Sequence, residues 1–297
     1  VASAAAAFAA RCRHGTCARP AALSRCRSSG PPLASSSDST ASELTPTAAA
    51  SATFETMEVI SGLRAIAPRH DRYLLDMWGV MHDGKTPYPG ALETVSRLCD
   101  ANKKMVILSN SSKRVGNAVR MLEKLGFDPD DFVEVITSGE VSHRMLSGDA
   151  TLGCEVWEVL TNLINGKGGK GSGEKKAFVF GSGDGDVEYC KTAGWTVSSV
   201  QDADLIIARG TFTIDCGDPD AVVSKLRDGE EAYFAALDEA LKAAAKRGVP
   251  MLVTNPDRVR PDEGLPPMPG AIGDAYERAL LSAGSIETAE EAPELVS

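Results

Sequence analysis

Two apolar stretches of this chain end in groups that can do chemistry. In Leu74-Leu75-Asp76-Met77-Trp78-Gly79-Val80 a carboxylate closes an apolar run and a glycine turn follows at once. In Val106-Ile107-Leu108-Ser109-Asn110-Ser111-Ser112 a second apolar run opens into small hydrogen-bonding side chains. A carboxylate at the carboxyl end of a parallel strand points into the crevice where α/β sheets bind ligands. Hydroxyl and amide groups leading into a helix N-terminus form a cradle for phosphate. Side by side, the two strand ends offer a nucleophile and an anion site. Each alone has a plainer explanation, in which Asp76 caps a turn and Ser111 or Ser112 is an N-cap.

Two glycine-rich stretches compete as phosphate sites and fail on local chemistry. Gly79 to Thr86 fits GxxxxGK[ST] formally, but Pro87 and Pro89 block the helix that a P-loop needs after its lysine. Gly181-Ser182-Gly183-Asp184-Gly185 is similar to a dinucleotide loop, yet the third glycine in register would fall on Asp186. Carboxylates at Asp184 and Asp186 would repel a pyrophosphate, so a strand-to-helix turn is the better reading. None of the four histidines forms an HExxH pair, and the seven cysteines make no zinc spacing or disulfide ladder. Cys99, Cys154, Cys190 and Cys216 are expected to be buried small hydrophobes.

These groups must be held by an α/β scaffold. Strands are expected at Tyr73–Met77, Lys104–Ser109 and Val133–Thr137. Between them lie a helix with Ala91, Val95 and Leu98 on one face and another with Val115, Ala118, Val119, Leu122 and Leu125. A helix near 139–147 follows. After the solvated stretch 166–176 a second α/β unit begins, with strands at Ala177–Phe180, Ala203–Ala208 and Met251–Thr254. Its helices lie near 186–193 and along a face of Phe234, Leu237, Leu241 and Ala244. Alternation of this kind indicates parallel strands.

Composition narrows the function classes. Hydrophobic residues make up 43% of the 297, charged residues 24%, and the net charge is −10, which leaves no basic face for a nucleic acid. No apolar run reaches the roughly 20 residues that span a bilayer. Residues 1–50 carry net +3 against −13 for the remainder. The Arg-bearing, acid-poor composition of 1–53 is that expected of a transit peptide for plastid or mitochondrion, the alternative being a disordered tail with no targeting role.

The two strand ends, in this order and spacing, resemble the haloacid dehalogenase superfamily and within it the class IIA phosphatase-like hydrolases. The phrases DMWGVMHDG, VILSNSSKR, VITSGE, VTNPD and PGAIGDAYE carry the resemblance over roughly residues 70–281. It implies a Rossmann-like parallel-sheet core interrupted by an α/β cap: residues 54–148 as the first part of the core, 149–262 as the cap and 263–297 as a return segment. It also implies a small phosphorylated substrate and Mg2+. Asp76 would be the nucleophile, and Ser109, Asn110 and Gly79 would bind the phosphoryl group. Asn255 and Asp257 of the cap would face the substrate, and the metal would take the Asp76 carboxylate and the Trp78 backbone carbonyl.

The sequence departs from the family pattern. Where phosphatases of this kind carry a second Asp as general acid, Trp78 stands, and an indole has no usable acid. Asp83 is near in sequence, but an Asp-Gly turn explains it equally well. No Gly-Lys-Pro phrase and no terminal acid pair follow PGAIGDAYE. The resemblance therefore leads to a truncated core lacking its last strands, weak or inactive as a hydrolase. The edge at Tyr73–Met77 would then be exposed; a partner, such as a second copy of the chain, is one cover for it, and an incomplete gene product is the favoured explanation. A non-catalytic phosphate-ligand-binding or scaffold protein of the same fold is the alternative.

Overall fold

The computed structural model describes residues 59–149, 158–165, 173–183, 185–261 and 264–284. The expected transit segment 1–53, Cys154, most of the stretch 166–176 and the acidic end of the chain lie outside them. The described residues before His70, 59–69, belong to a separate unit, which shows two 3-10 turns at Leu63–Ala65 and Ala67–Arg69. Everything below concerns the unit that begins at His70. Among the described residues no helix is long and apolar enough to cross a membrane.

The first sheet has three parallel strands in the order β1 (Arg72–Leu75), β2 (Lys104–Ser109), β3 (Glu134–Thr137). Helices α1 (Ala91–Asp100) and α2 (Val115–Lys124) form the two crossovers. Val95 and Leu98 of α1 and Ala118 and Leu122 of α2 are buried, as are Met105 and Ile107 of β2. The periodicities of both helices thus mark the faces that pack. Strand β1 stops two residues earlier than expected. The Asp76 carboxylate accepts the Met77 N–H (2.7 Å), and the Met77 carbonyl accepts the N–H groups of Met81 and His82. Backbone groups spent on that turn are not available to a ladder. Among the described residues β1 has β2 as its one neighbour, and Leu74 is 68% exposed, so an apolar edge stands open there.

Helix α3 (Ser138–Leu146) starts directly from β3. The Thr137 hydroxyl oxygen accepts the Glu140 N–H (3.1 Å), an N-cap that fixes where the strand becomes a helix. Its far end contributes Leu146 to the core under the second sheet. That sheet has six strands: β4 (Lys176–Gly181), β5 (Thr196–Val197), β6 (Leu205–Ala208), β7 (Thr213–Asp215), β8 (Val223–Ser224) and β9 (Met251–Val253). The order is β8-β7-β4-β6-β9. Strands β4, β6 and β9 run parallel, β7 and β8 form an antiparallel flank, and β5 pairs with the start of β4.

Both faces of this sheet are covered, which is why its central strands are continuously apolar. Ala177, Val179, Leu205, Ile207 and Leu252 pack with α3, α4 (Glu158–Ile164) and α5 (Asp186–Thr192). The alternate residues Phe178, Phe180, Ile206, Ala208, Met251 and Val253 pack with α7 (Glu230–Arg247) and α8 (Pro269–Ser282). A one-turn helix α6 (Lys225–Asp228) precedes α7. The expected face of α7 needs one correction. Tyr233 is buried, whereas Phe234 is 40% exposed, its ring edge-on to Tyr233 and the Lys225 ammonium 5.2 Å from its centroid. The cysteines need another, since Cys190 is buried but Cys99 and Cys216 are only partly so.

Candidate active site

The parallel register sets the site. Leu75 pairs with Ile107, so Asp76 leaves β1 level with Leu108 and beside the Ser109-Asn110 end of β2. Partial withdrawal of the Asp76 carboxyl from solvent raises its pKa above the usual aspartate value. The Met77 N–H opposes that rise and the negative charge of Asp257 adds to it. Ser109 is buried and its Oγ accepts the Ser111 N–H (3.3 Å). The Asn110 Nδ2 donates to Asp257 Oδ1 at 3.0 Å. Asn110 and Asp257 therefore meet just past the carboxyl ends of β2 and β9, which belong to different sheets, and the Asp257 charge reaches Asp76 past the end of β1.

Other anticipated residues face elsewhere. The Gly79 N–H donates to the His82 carbonyl (2.9 Å), which uses it inside the turn. Asn255 is buried, and its Oδ1 accepts the Asp257 N–H (2.8 Å), so it shapes the loop that presents Asp257. Asp83 accepts the N–H groups of Lys85 and Thr86 (2.8 and 2.7 Å), which makes it a turn residue. No helix begins at Lys85; α1 starts at Ala91.

Two further features had no motif behind them. Ser138, the first residue of α3, has its hydroxyl 2.7 Å from the Asn110 carbonyl, 3.1 Å from that of Ser111 and 2.6 Å from that of Thr254. One hydroxyl carries one proton, so three carbonyls share it and the ends of β2, β3 and β9 are drawn to a point. Next to it, Gly139 N–H donates to the Ser111 carbonyl (2.9 Å), and a Cβ on Gly139 would stand 2.1 Å from the Ser112 carbonyl oxygen. Arg209, just past β6, is buried with Asp186 as its ion-pair partner. Its Nη2 donates to the Ser112 carbonyl (3.3 Å), and its guanidinium carbon lies 3.7 Å from the Tyr189 ring centroid. The sequence carried one signal for Arg209: a charge placed directly after Leu-Ile-Ile-Ala, as Asp76 is placed after its own apolar run.

Histidines flank the site without entering it. His82 is buried; its Nδ1 accepts the Gly84 N–H (2.9 Å), so the neutral ring holds its proton on Nε2, which has no partner. His143 is buried between α3 and α5, with Nε2 2.9 Å from Thr192 Oγ1, whose proton goes to the Glu188 carbonyl. Burial, with the Arg114 charge nearby, lowers the His143 pKa below 6.5. The folded protein then resists a proton that the unfolded chain accepts. Stability is expected to fall as pH drops below about 6.5 and to level off below the lowered folded pKa. In urea titrations at two pH values across this window, His143→Gln should lose less stability than the parent. An identical loss in both would refute the assignment.

An α/β fold that sets a carboxylate at one strand end beside hydroxyl and amide groups at the next is similar to that of the haloacid dehalogenase-like proteins. Residues 73–196 match the family model described as haloacid dehalogenase-like hydrolase. A curated relative, the D-glycerol 3-phosphate phosphatase of Mycobacterium tuberculosis, is 28% identical over 102 residues, which are 34% of this chain and 28% of that protein. The chain thus aligns with little more than a quarter of that relative's length. A haloacid dehalogenase-like hydrolase from Brucella suis has a similar fold, with a TM-score of 0.52 at 18% identity over 74% of this chain and 70% of its own. A glycerol phosphate phosphatase of M. tuberculosis solved with magnesium gives a TM-score of 0.46 at 20% identity, covering 72% and 53% of the two chains.

The superfamily implies a divalent cation, and the donor set can be tested against one. Asp76 Oδ1 accepts the Met77 N–H and keeps a lone pair with which it could ligate a cation, leaving Oδ2 free. The Trp78 carbonyl accepts none of the hydrogen bonds of its turn, in which the Met77 and His82 carbonyls are the acceptors. Among the described residues no group of three or more His, Cys, Asp or Glu side chains surrounds a metal position. Mg2+ binds through one or two carboxylates and keeps several waters. Asp76 and the Trp78 carbonyl fit such an ion.

Proposed function

We propose that this chain is a class IIA phosphate-monoester hydrolase in which Asp76 attacks phosphorus, the three-stranded sheet serving as core and the six-stranded sheet as cap. The observation that supports this is the level placement of Asp76 beside Ser109 and Asn110. With Oδ1 held by the Met77 N–H, Oδ2 attacks phosphorus, the bond from phosphorus to the ester oxygen breaks, the alcohol leaves with a proton taken from water, and an aspartyl-phosphate is the covalent product. Ser109 and Asn110 hold the phosphoryl oxygens by donating hydrogen bonds, which matter most as charge builds in the transition state. Asp76 and the Trp78 carbonyl would hold Mg2+, which would supply positive charge to offset the repulsion between carboxylate and phosphate. Water then releases phosphate from Asp76.

Trp78 sets the limit on turnover. It cannot protonate a leaving oxygen, and loss of a general acid costs on the order of 10²–10⁴ in rate. Esters of acidic alcohols are therefore expected to be cleaved far faster than alkyl phosphates. The test is hydrolysis of p-nitrophenyl phosphate with Mg2+: Asp76→Asn should abolish what the parent shows. If Asp76→Asn retains the parent's rate, the nucleophile is wrong. A second reading, a phosphate-ligand-binding protein without turnover, is favoured by the same Trp78. It is supported if the parent binds inorganic phosphate stoichiometrically and cleaves neither kind of ester.

A further inference from the structure

The loop after β9 presents a carboxylate to the cradle. Asp257 Oδ1 accepts the Asn110 amide at 3.0 Å, and its charge is felt at Asp76. The loop is anchored at several points. Its Asp257 N–H donates to Asn255 Oδ1 (2.8 Å), its Asp257 carbonyl accepts the Gly270 N–H (3.0 Å), and its Thr254 carbonyl lies 2.6 Å from the Ser138 hydroxyl. Gly270 allows the approach, since a Cβ there would sit 2.2 Å from the Pro256 carbonyl oxygen. Asp257 is thus held in place by backbone, and a ligand meets it there.

Three arginines around these loops are ion-paired with carboxylates, and Lys113 is bonded to a neutral hydroxyl. Lys113 donates to Ser182 Oγ (2.9 Å), Arg114 is bidentate on Glu140 (2.5 and 2.9 Å), Arg209 pairs with Asp186, and Arg258 is bidentate on Asp274 (2.6 and 3.0 Å). A ligand in the cradle faces the Asp76 and Asp257 carboxylates, and Asp257 is bonded to the Asn110 amide that would hold its phosphoryl oxygens.

Resting on the assignment of Asp76, Ser109 and Asn110 as the phosphoryl site, we propose that Asp257 is a specificity-determining residue. It selects phosphate monoesters whose alcohol part carries an ammonium group near the ester and rejects those with a carboxylate or a second phosphate there. The physical reason is the sign of one short-range charge interaction: an ammonium beside Asp257 is attracted and a carboxylate is repelled, each by an amount that falls as salt is added.

The experiment is calorimetric binding to the whole chain with Mg2+ present, using inorganic phosphate, O-phosphoethanolamine and 2-phosphoglycolate as probes. The ammonium ester should bind at least about tenfold tighter than the carboxylate ester at low ionic strength, and the gap should shrink toward about 0.5 M salt. Asp257→Asn, which keeps the shape and an acceptor for Asn110, should close the gap by strengthening phosphoglycolate. Equal binding of the two esters to the parent, or a gap that survives Asp257→Asn, overturns the inference. Inorganic phosphate isolates the underlying assignment: if it fails to bind, or binds regardless of Ser109→Ala, the phosphoryl site is misassigned and the inference falls with it. If phosphate depends on Ser109 while the ester ratio is flat, the inference alone fails.

Discussion

Arg209→Met is expected to destabilise the protein by about 3–5 kcal/mol, the usual cost of breaking a buried ion pair from one side. The guanidinium is sealed between Asp186, the Ser112 carbonyl and the face of Tyr189. Removing it strands the Asp186 carboxylate in an apolar setting. Asp186 retains the Gly183 N–H (3.0 Å) and the Ser182 hydroxyl (3.1 Å), which soften the loss without replacing a charge. The double variant Arg209→Met with Asp186→Leu should recover much of the stability, since neither charge is then left alone. It should not recover all, because those two donors lose their acceptor. Urea unfolding of the parent, both single variants and the double variant measures the coupling. A cost below about 1 kcal/mol for Arg209→Met would mean that the pair behaves like one at the surface.

Gly139→Ala should be nearly as damaging, at about 3 kcal/mol, through overpacking against backbone. The added methyl would meet the Ser112 carbonyl oxygen at 2.1 Å and the Lys113 carbonyl oxygen at 2.6 Å, and neither can swing aside as a side chain would. Those carbonyls are already fixed by Arg209 and by the Thr137 hydroxyl (2.8 Å). The start of α3 must therefore separate from the loop after β2, and binding of inorganic phosphate should weaken with stability. Gly116→Ala in α2 is the control. Its nearest neighbour is the tip of Arg120 at 3.6 Å, and alanine favours a helix, so it should be neutral or stabilising. A Gly139→Ala protein with parental stability would show that the loop and helix can part at little cost.

How much of this was legible beforehand depended on whether the determinant was local. Strand β2 is expected and observed at Lys104–Ser109, because its apolar run is bounded by Lys103 and Asn110. Strand β1 was harder. Its apolar run extends through Met77, but the Asp76 carboxylate and the Met77 carbonyl divert the backbone into a turn, a choice set by the Met81 and His82 amides. Strands β7 and β8 left no trace, since Thr213-Ile214-Asp215 and Val223-Ser224 are too short and polar to pattern, and neighbouring strands create them. In α7 a register error of one residue chose Phe234 over Tyr233; two adjacent aromatic residues on a helix cannot be told apart by period alone.

Within the site, Asp76, Ser109 and Asn110 could be singled out because each follows an apolar run. Asp257 could be suspected from the phrase VTNPD. Its contact with Asn110, and the convergence of three carbonyls on Ser138, depend on how two sheets are joined, and no spacing in the chain encodes that.

The Asn110 to Asp257 hydrogen bond spans 147 positions of sequence. Contacts of such high order form only after the entropy of closing a long loop has been overcome. During folding, β1 to β3 can assemble by near-neighbour crossovers while the pocket they border still lacks a wall. The Asn110 to Asp257 contact is thereby completed by one of the last segments to arrive.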